Sequence, residues 1–403
     1  MTKVQGSRPK AQGQSTARRA LDLGPWSFLG PCALVIGHLL TACSPRSASP
    51  NLPSRLFDHA EIIGTRGTGL GQFTKPRSIA LDRDDNLYVV DMTGRVQKFS
   101  PRGDLLTSWR MPETDLGKPK GMCRDTNGNI VIVEPHYQRV NHFAPDGTLI
   151  EQWGSHGTNA GQLVLPRSVA VNSHGDIFVS EYTTVDRVQG FSADGHKPIV
   201  VFGKPGTGDG EFNRAEGLGV DAQDRIYVAD SCNHRIQIFS RDGKWLKTYG
   251  KAGRGFGELS YPYDVCVDRA GRQYVCEFGN SRIQVFGTNN EPLEIIGGPG
   301  SKPGQFNNPW AIALDSHGNL FVADAGNHRV QKLVRRQQVS AASRRITNVA
   351  MTKAQGSRPK VETLFVSPRS LDLVYWSFLG PCTLDLGPFV VLGYSSAHLG
   401  YRR

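Results

Sequence analysis

The sequence has no stretch long and uniformly apolar enough to read as a transmembrane helix. Its seven cysteines are scattered, with no CxxC pair and no cysteine–histidine spacing of a zinc finger, so no structural zinc is implied. There is no GxSxG elbow, HExxH or Walker loop, which removes three motif-borne hydrolase classes. Helical periodicity is scarce too. Valine, isoleucine and aromatic residues come in short runs between turn residues, and with 46 Gly and 24 Pro the chain reads as all-β. A Cys266–Cys276 bridge within one repeat is left open by spacing alone.

The net charge of +11 suggests nucleic acid until it is divided by region. Residues 61–336 hold 32 Lys/Arg against 31 Asp/Glu, whereas the two ends together hold 15 against 5. Binding through phosphate neutralisation needs the excess on the folded part. Nucleic acid is therefore not the expected partner.

Pro76, Pro119, Pro166, Ala215, Pro262 and Pro309 open six units at intervals of 43, 47, 49, 47 and 47 residues. A period of that length is that of a propeller blade. Each unit begins with an alternating run such as Ser78-Ile79-Ala80-Leu81-Asp82, followed by a second run such as Leu87-Tyr88-Val89-Val90-Asp91. A third starts with arginine, as in Arg235-Ile236-Gln237-Ile238-Phe239, and a turn leads to a fourth. The linkers repeat Gly71-Gln72-Phe73, Gly210-Glu211-Phe212, Gly257-Glu258-Leu259 and Gly304-Gln305-Phe306, whose last residue is expected to plug the gap between blades. The sixth unit stops after its third strand near Leu333, while Glu61-Ile62-Ile63-Gly64 precedes the first unit as an unpaired fourth strand. The expected fold is a six-bladed β-propeller, its last blade closed by that N-terminal strand.

Ala229-Asp230-Ser231-Cys232-Asn233-His234-Arg235 and Ala323-Asp324-Ala325-Gly326-Asn327-His328-Arg329 resemble the signature of NHL repeats. The resemblance spans about residues 57–336 and implies a six-bladed NHL propeller, a fold that serves many functions. It is also a distant similarity to peptidyl-α-hydroxyglycine α-amidating lyases, which would imply zinc held by histidines at the axial mouth. No histidine stands at the corresponding positions here, so neither a metal nor any other cofactor is expected. Some animal NHL propellers bind RNA, which supplies a second alternative.

Each second strand ends in an acid (Asp91, Glu134, Glu181, Asp230, Glu277, Asp324) and each third strand opens with an arginine (Arg95, Arg139, Arg187, Arg235, Arg282, Arg329). A pair present in every blade is expected to brace the blade rather than make a site. His234 and His328 fall under the same reading. Asp82 to Asn86 has acids near calcium-loop spacing, but a hairpin turn suffices.

Symmetry breaks right after the opening proline, at Arg77, Lys120, Arg167, Glu216, Tyr263 and Trp310. In a propeller these positions surround the axial opening, on the face that also carries His136, Tyr137, Tyr182 and Phe278. Together these ten residues are the candidate site for a small anionic or glycan-like ligand or a protein partner, with a solvated rim as the alternative. Arg77, Arg167 and Tyr263 are the candidates for acid–base work if the protein is a metal-free lyase. Arg124 stands where the other blades have Leu81, Val171, Val220, Val267 and Leu314, and a partner in the channel is its only evident explanation.

The ends read differently. Residues 1–37 and 351–387 are copies with 22 identities in 37 and do not share the blade pattern. Residues 1–56 and 337–403 are therefore taken as extensions to a 57–336 propeller. Ala33 to Cys43, ending Leu-Thr-Ala-Cys, resembles the end of a bacterial lipoprotein signal, and Ser44 to Pro53 resembles a tether. A lipid on Cys43 would hold an exported monomer at a membrane surface. If the signal is not functional, the cytoplasm is the expected location.

Overall fold

The structure, a computed structural model, describes residues 52–337 except Gly195; Cys43 and both duplicated segments lie outside the described residues. Six four-stranded antiparallel sheets follow one another along the chain as six propeller blades. The fourth is typical, with strands Ala215–Val220, Ile226–Asp230, Arg235–Phe239 and Trp245–Tyr249 from the axis outwards.

Every second strand is buried on both faces, because each blade is sandwiched between two others. That explains why these strands read as continuous apolar runs rather than alternating ones. The outer strands, such as Leu149–Trp153, lie mostly in solvent. Between the third and fourth blades, Phe178, Phe202, Phe212 and Phe239 pack with Ile226 and Val228. Phe73, Leu163, Phe212, Leu259 and Phe306 are fully buried, as expected of plugs. Gly203 (φ +89°) lets the Phe212 ring lie against the main chain, where a Cβ would collide with it.

Small residues along the first strands have a similar cause. At Gly219 a Cβ would press on the Val265 carbonyl of the next blade, because the inner strands crowd near the axis. Cys123 and Cys266 occupy the same position and are half-buried free thiols, and Cys276 is free as well. The ladder sets Cys266 opposite Tyr274 and Cys276 opposite Asp264, so no bridge joins the two cysteines.

Closure comes from the N-terminus. Phe57–Ile63 runs antiparallel to Arg329–Arg335, pairing Phe57 with Arg335 and Ile63 with Val330. The strand starts earlier than Glu61, since Phe57 and Ala60 are wholly buried against the sixth blade across an irregular register.

All six acid–arginine pairs form within their hairpins. Their purpose is larger than the turn. Arg235 also donates to the carbonyls of Thr207, Gly208 and Glu211, and Gln237 donates to Glu211, so the third strand grips the linker that enters its own blade. Asp230 completes the grip by accepting the Asn213 N–H at 2.7 Å. His234 and His328 accept the backbone N–H of Tyr261 and Lys75 in the following linker, a structural role. Asp82 caps its hairpin through Asp84, Asn86 and Tyr88, which fills the roles a calcium loop would have needed free.

Candidate functional site: the axial mouth

Arg77, Lys120, Arg167, Glu216, Tyr263 and Trp310 line one axial cavity of about 310 Å³. Each stands at or just before the start of a first strand, Lys120 and Trp310 preceding Met122–Arg124 and Ile312–Leu314, so the six-fold arrangement brings six chemically different side chains to one ring. Glu216, 2% exposed, is the hub. Arg167 clasps it with Nη2 at 2.7 and 2.8 Å and Nε at 3.1 Å, Arg214 Nε lies at 3.0 Å, and Lys120 Nζ bonds its other oxygen. Burial alone would raise the Glu216 carboxyl, but Lys120, Arg167 and Arg214 hold it well below the usual carboxylate range.

Arg77 has no share in this. Among the described residues its side chain has no hydrogen-bond or ion-pair partner, its Nε is buried, and its guanidinium lies 5.1 Å over the Trp310 ring. Burial, followed by the charge of Arg167, pulls it down to about 10, so it remains cationic at neutral pH. Burial pulls Lys120 down to about 7, with Arg167 and Arg77 assisting against the pull of Glu216. The mouth thus holds four cationic side chains around one firmly ionised carboxylate.

Aromatic faces complete the ring. Tyr263 stacks on Phe278 at 4.3 Å and 14°, and Tyr182 lies under Arg167 at 4.4 Å. The Tyr263 phenol is raised by burial and then by Glu216, so at neutral pH it donates rather than accepts a proton. The Trp310 indole N–H is buried with no partner. Of the four turn residues expected at the site, none lines the cavity itself: Tyr182 and Phe278 back Arg167 and Tyr263 from outside it, and His136 and Tyr137 lie elsewhere. His136 packs on Gly117, while Tyr137 lies 4.4 Å from Arg139 and accepts the Leu116 N–H, both against the connection into the second blade.

Two residues escaped the sequence reading. Arg214 precedes the opening position and looked like linker, but its left-handed backbone (φ +68°) belongs to a turn that leaves its guanidinium against Glu216 and Tyr263. Asp264 stands where other blades have Ser78, Gly121, Ser168, Gly217 and Ala311, and that contrast was a usable signal. It accepts the N–H groups of Val265 and Ile312, yet burial lifts its carboxyl to about 7.

Away from the axis, His142, Glu151 and His196 bring ligand-type atoms within 4.8 Å of one another, a cluster their scattered sequence positions concealed. Trp153 Nε1 donates to His142 Nε2 at 3.1 Å. A neutral ring then carries its proton on Nδ1, the atom facing Glu151 and Asp125. His196 Nε2 meets Glu151 Oε1 at 2.9 Å, while His196 Nδ1 is buried with no partner among the described residues. Metal ligation by His142 Nδ1 would require the tryptophan bond to break.

The NHL repeat pattern matches residues 212–239, 259–286 and 306–333, the last three complete linker-to-third-strand units. The chain carries NHL repeats. Among curated proteins it is 45% identical over 67 residues to protein lin-41 of Caenorhabditis elegans, covering 16% of this chain and 6% of that one. It is 27% identical over 187 residues to the mouse NHL repeat-containing protein 3, covering 42% and 53%. The chain thus spans about half or less of the curated relatives it matches. A gluconolactonase from Xanthomonas campestris shares the fold, at 18% identity over 66% of this chain and 87% of that one, with a TM-score of 0.50.

Proposed function

We propose that this NHL propeller is a non-catalytic binding protein that holds a small acidic ligand at its axial mouth. NHL propellers generally mediate protein or ligand binding. The observation that carries the proposal is Arg77, a cation with a buried, unbonded Nε, beside a carboxylate already shared by three other cations. An incoming carboxylate or phosphate would satisfy Arg77 and draw on the partly free charge of Lys120. A sugar ring or other flat body would find the Trp310 and Tyr263 faces.

Calorimetry on the full chain with inorganic phosphate, acetate, glucuronate and neutral glucose tests this. The anions should bind, glucuronate most tightly, and glucose should not. Absence of anion binding, or unchanged binding in Arg77→Met, would refute the proposal.

A second reading rests on Lys120. An amine brought to about 7 beside cations suits proton abstraction from a bound acid, as in a metal-free lyase. Turnover on α-hydroxyglycine or lactone substrates, lost in Lys120→Met, would favour it, and no turnover across that panel would dismiss it. We also propose that the ring is exported and tethered through lipidated Cys43; incorporation of a labelled fatty acid, abolished in Cys43→Ser, is the expected result.

A further inference from the structure

The axial cavity does not end below the mouth. A second cavity of about 530 Å³ opens at the other end, and the two share Leu81, Arg124, Val267 and Leu314. Those four residues occupy one level of the ring, the last residue of each first strand, with Val171 and Val220 at the same level. The channel therefore has a waist, aliphatic in five blades and cationic in one.

Among the described residues the Arg124 side chain has no hydrogen-bond or ion-pair partner, and its Nη1 is shielded from solvent. It shares this condition with Arg77 alone among the five cations that line or edge the channel from mouth to waist. Lys120, Arg167 and Arg214 all meet Glu216. Arg124 is half-buried, and the lower cavity it also lines carries Asp82, Asp85, Asp268 and Asp315. Those carboxylates are engaged by Lys98, Ser316, Arg272 and Asn319, and none pairs with Arg124. A guanidinium left so at an otherwise aliphatic waist is open to a negative group from outside. Lys120 lies just ahead of the strand Met122–Arg124 and four residues from Arg124, and the extended chain between them sets the mouth and the waist about 13 Å apart. The walls between are small or already satisfied: Ala80, Ala170, Gly219 and Ala313 leave room, and Ser78 and Ser168 accept backbone N–H groups of the next blade.

We propose that the ligand carries two acidic groups, one held by Arg77 at the mouth and the other by Arg124 at the waist, joined by a slender apolar chain. This rests on the mouth reading above and narrows its ligand class to elongated dianions. A bidentate guanidinium–carboxylate contact at the waist should tighten binding about ten-fold or more over the same chain with one acid.

The test compares octanoate with suberate, which has the same chain length and one acid more, and adds succinate as a diacid too short to span. Calorimetry on the full chain should find suberate at least ten-fold tighter than octanoate, and succinate without that gain. In Arg124→Met the gain should vanish while octanoate binds as before; in Arg124→Lys part of it should remain. A thermal transition no lower than that of the wild type certifies that the Met variant folds. If octanoate binds and suberate binds no tighter, or if Arg124→Met keeps the gain, the dianion proposal is overturned and the mouth reading stands. If neither acid binds, both are overturned.

Discussion

Arg77→Met should make the ligand-free protein more stable while removing its ligand. In the folded ring the guanidinium is brought from its ordinary value to about 10, chiefly by burial. At 1.36 kcal/mol per pH unit the drop corresponds to about 3 kcal/mol against the charged form. The sign follows from linkage: a base whose folded value is lowered carries its full cost wherever it is charged in both states, which is every pH below about 10. Methionine keeps the stem and removes the charge. It forfeits the stacking on Trp310, about 1 kcal/mol, so a net gain of about 1 to 2 kcal/mol is expected. For a ring of this size that is a rise of several degrees in Tm. Differential scanning calorimetry of both proteins at pH 7, with and without glucuronate, reads the two effects together. The variant should melt higher without ligand and show no shift with it. A variant that melts several degrees lower would mean that Arg77 is compensated in the apo ring, and the argument for an acidic ligand would lose its basis.

Glu216→Gln should cost about 3 to 5 kcal/mol in urea denaturation, because Lys120, Arg167 and Arg214 would be left crowded and buried without their carboxylate; a loss below 1 kcal/mol would contradict the hub. Asp264 binds its proton up to about 7 in the folded ring, so its burial makes stability fall as pH rises from about 4 to 7, and Asp264→Asn should melt higher than wild type at pH 8 and equally at pH 4. Lys120 has the opposite slope, its lowered value making stability rise with pH above about 7, which Lys120→Met should flatten. A bound anion favours the protonated forms of both groups, so glucuronate affinity should weaken as pH rises through 7, with proton uptake visible as buffer-dependent heats. Ala60→Asp should cost several kcal/mol by setting a carboxylate into the closing strand opposite Leu333, and an unchanged Tm would argue against that closure.

What could be read before the structure was what repeats. Arg235, Gln237, Asp230 and Phe212 have counterparts around the ring because third strands grip linkers and gaps are plugged, and a demand met in five of the six blades leaves a period in the sequence. The ring of mouth residues was legible for the opposite reason, as the one position where the period carries different chemistry. Glu216 was visible as a member of that ring but not as its hub, since the count of cations that converge on it depends on the spacing between blades. Arg214 was hidden because a linker residue declares neither its backbone conformation nor where it points.

The same division tells which residues to suspect of function in a ring of this kind. A repeated polar residue has a partner in its own blade, and removing it weakens the scaffold; all six acid–arginine pairs form without any ligand, although Arg95 Nε, Glu134 Oε1 and Arg139 Nη2 are left buried and unbonded. A polar residue that breaks the repeat has no inherited partner, so it must either find one in a neighbouring blade or wait for one from outside. Lys120, Arg167 and Arg214 have found Glu216, and Asp264 has found two backbone N–H groups. Arg77 and Arg124 have found none, and both face the channel. Two cations without a charge partner on one axis are therefore better explained by a ligand that spans them than by the scaffold, in which Arg77 meets only the Trp310 face.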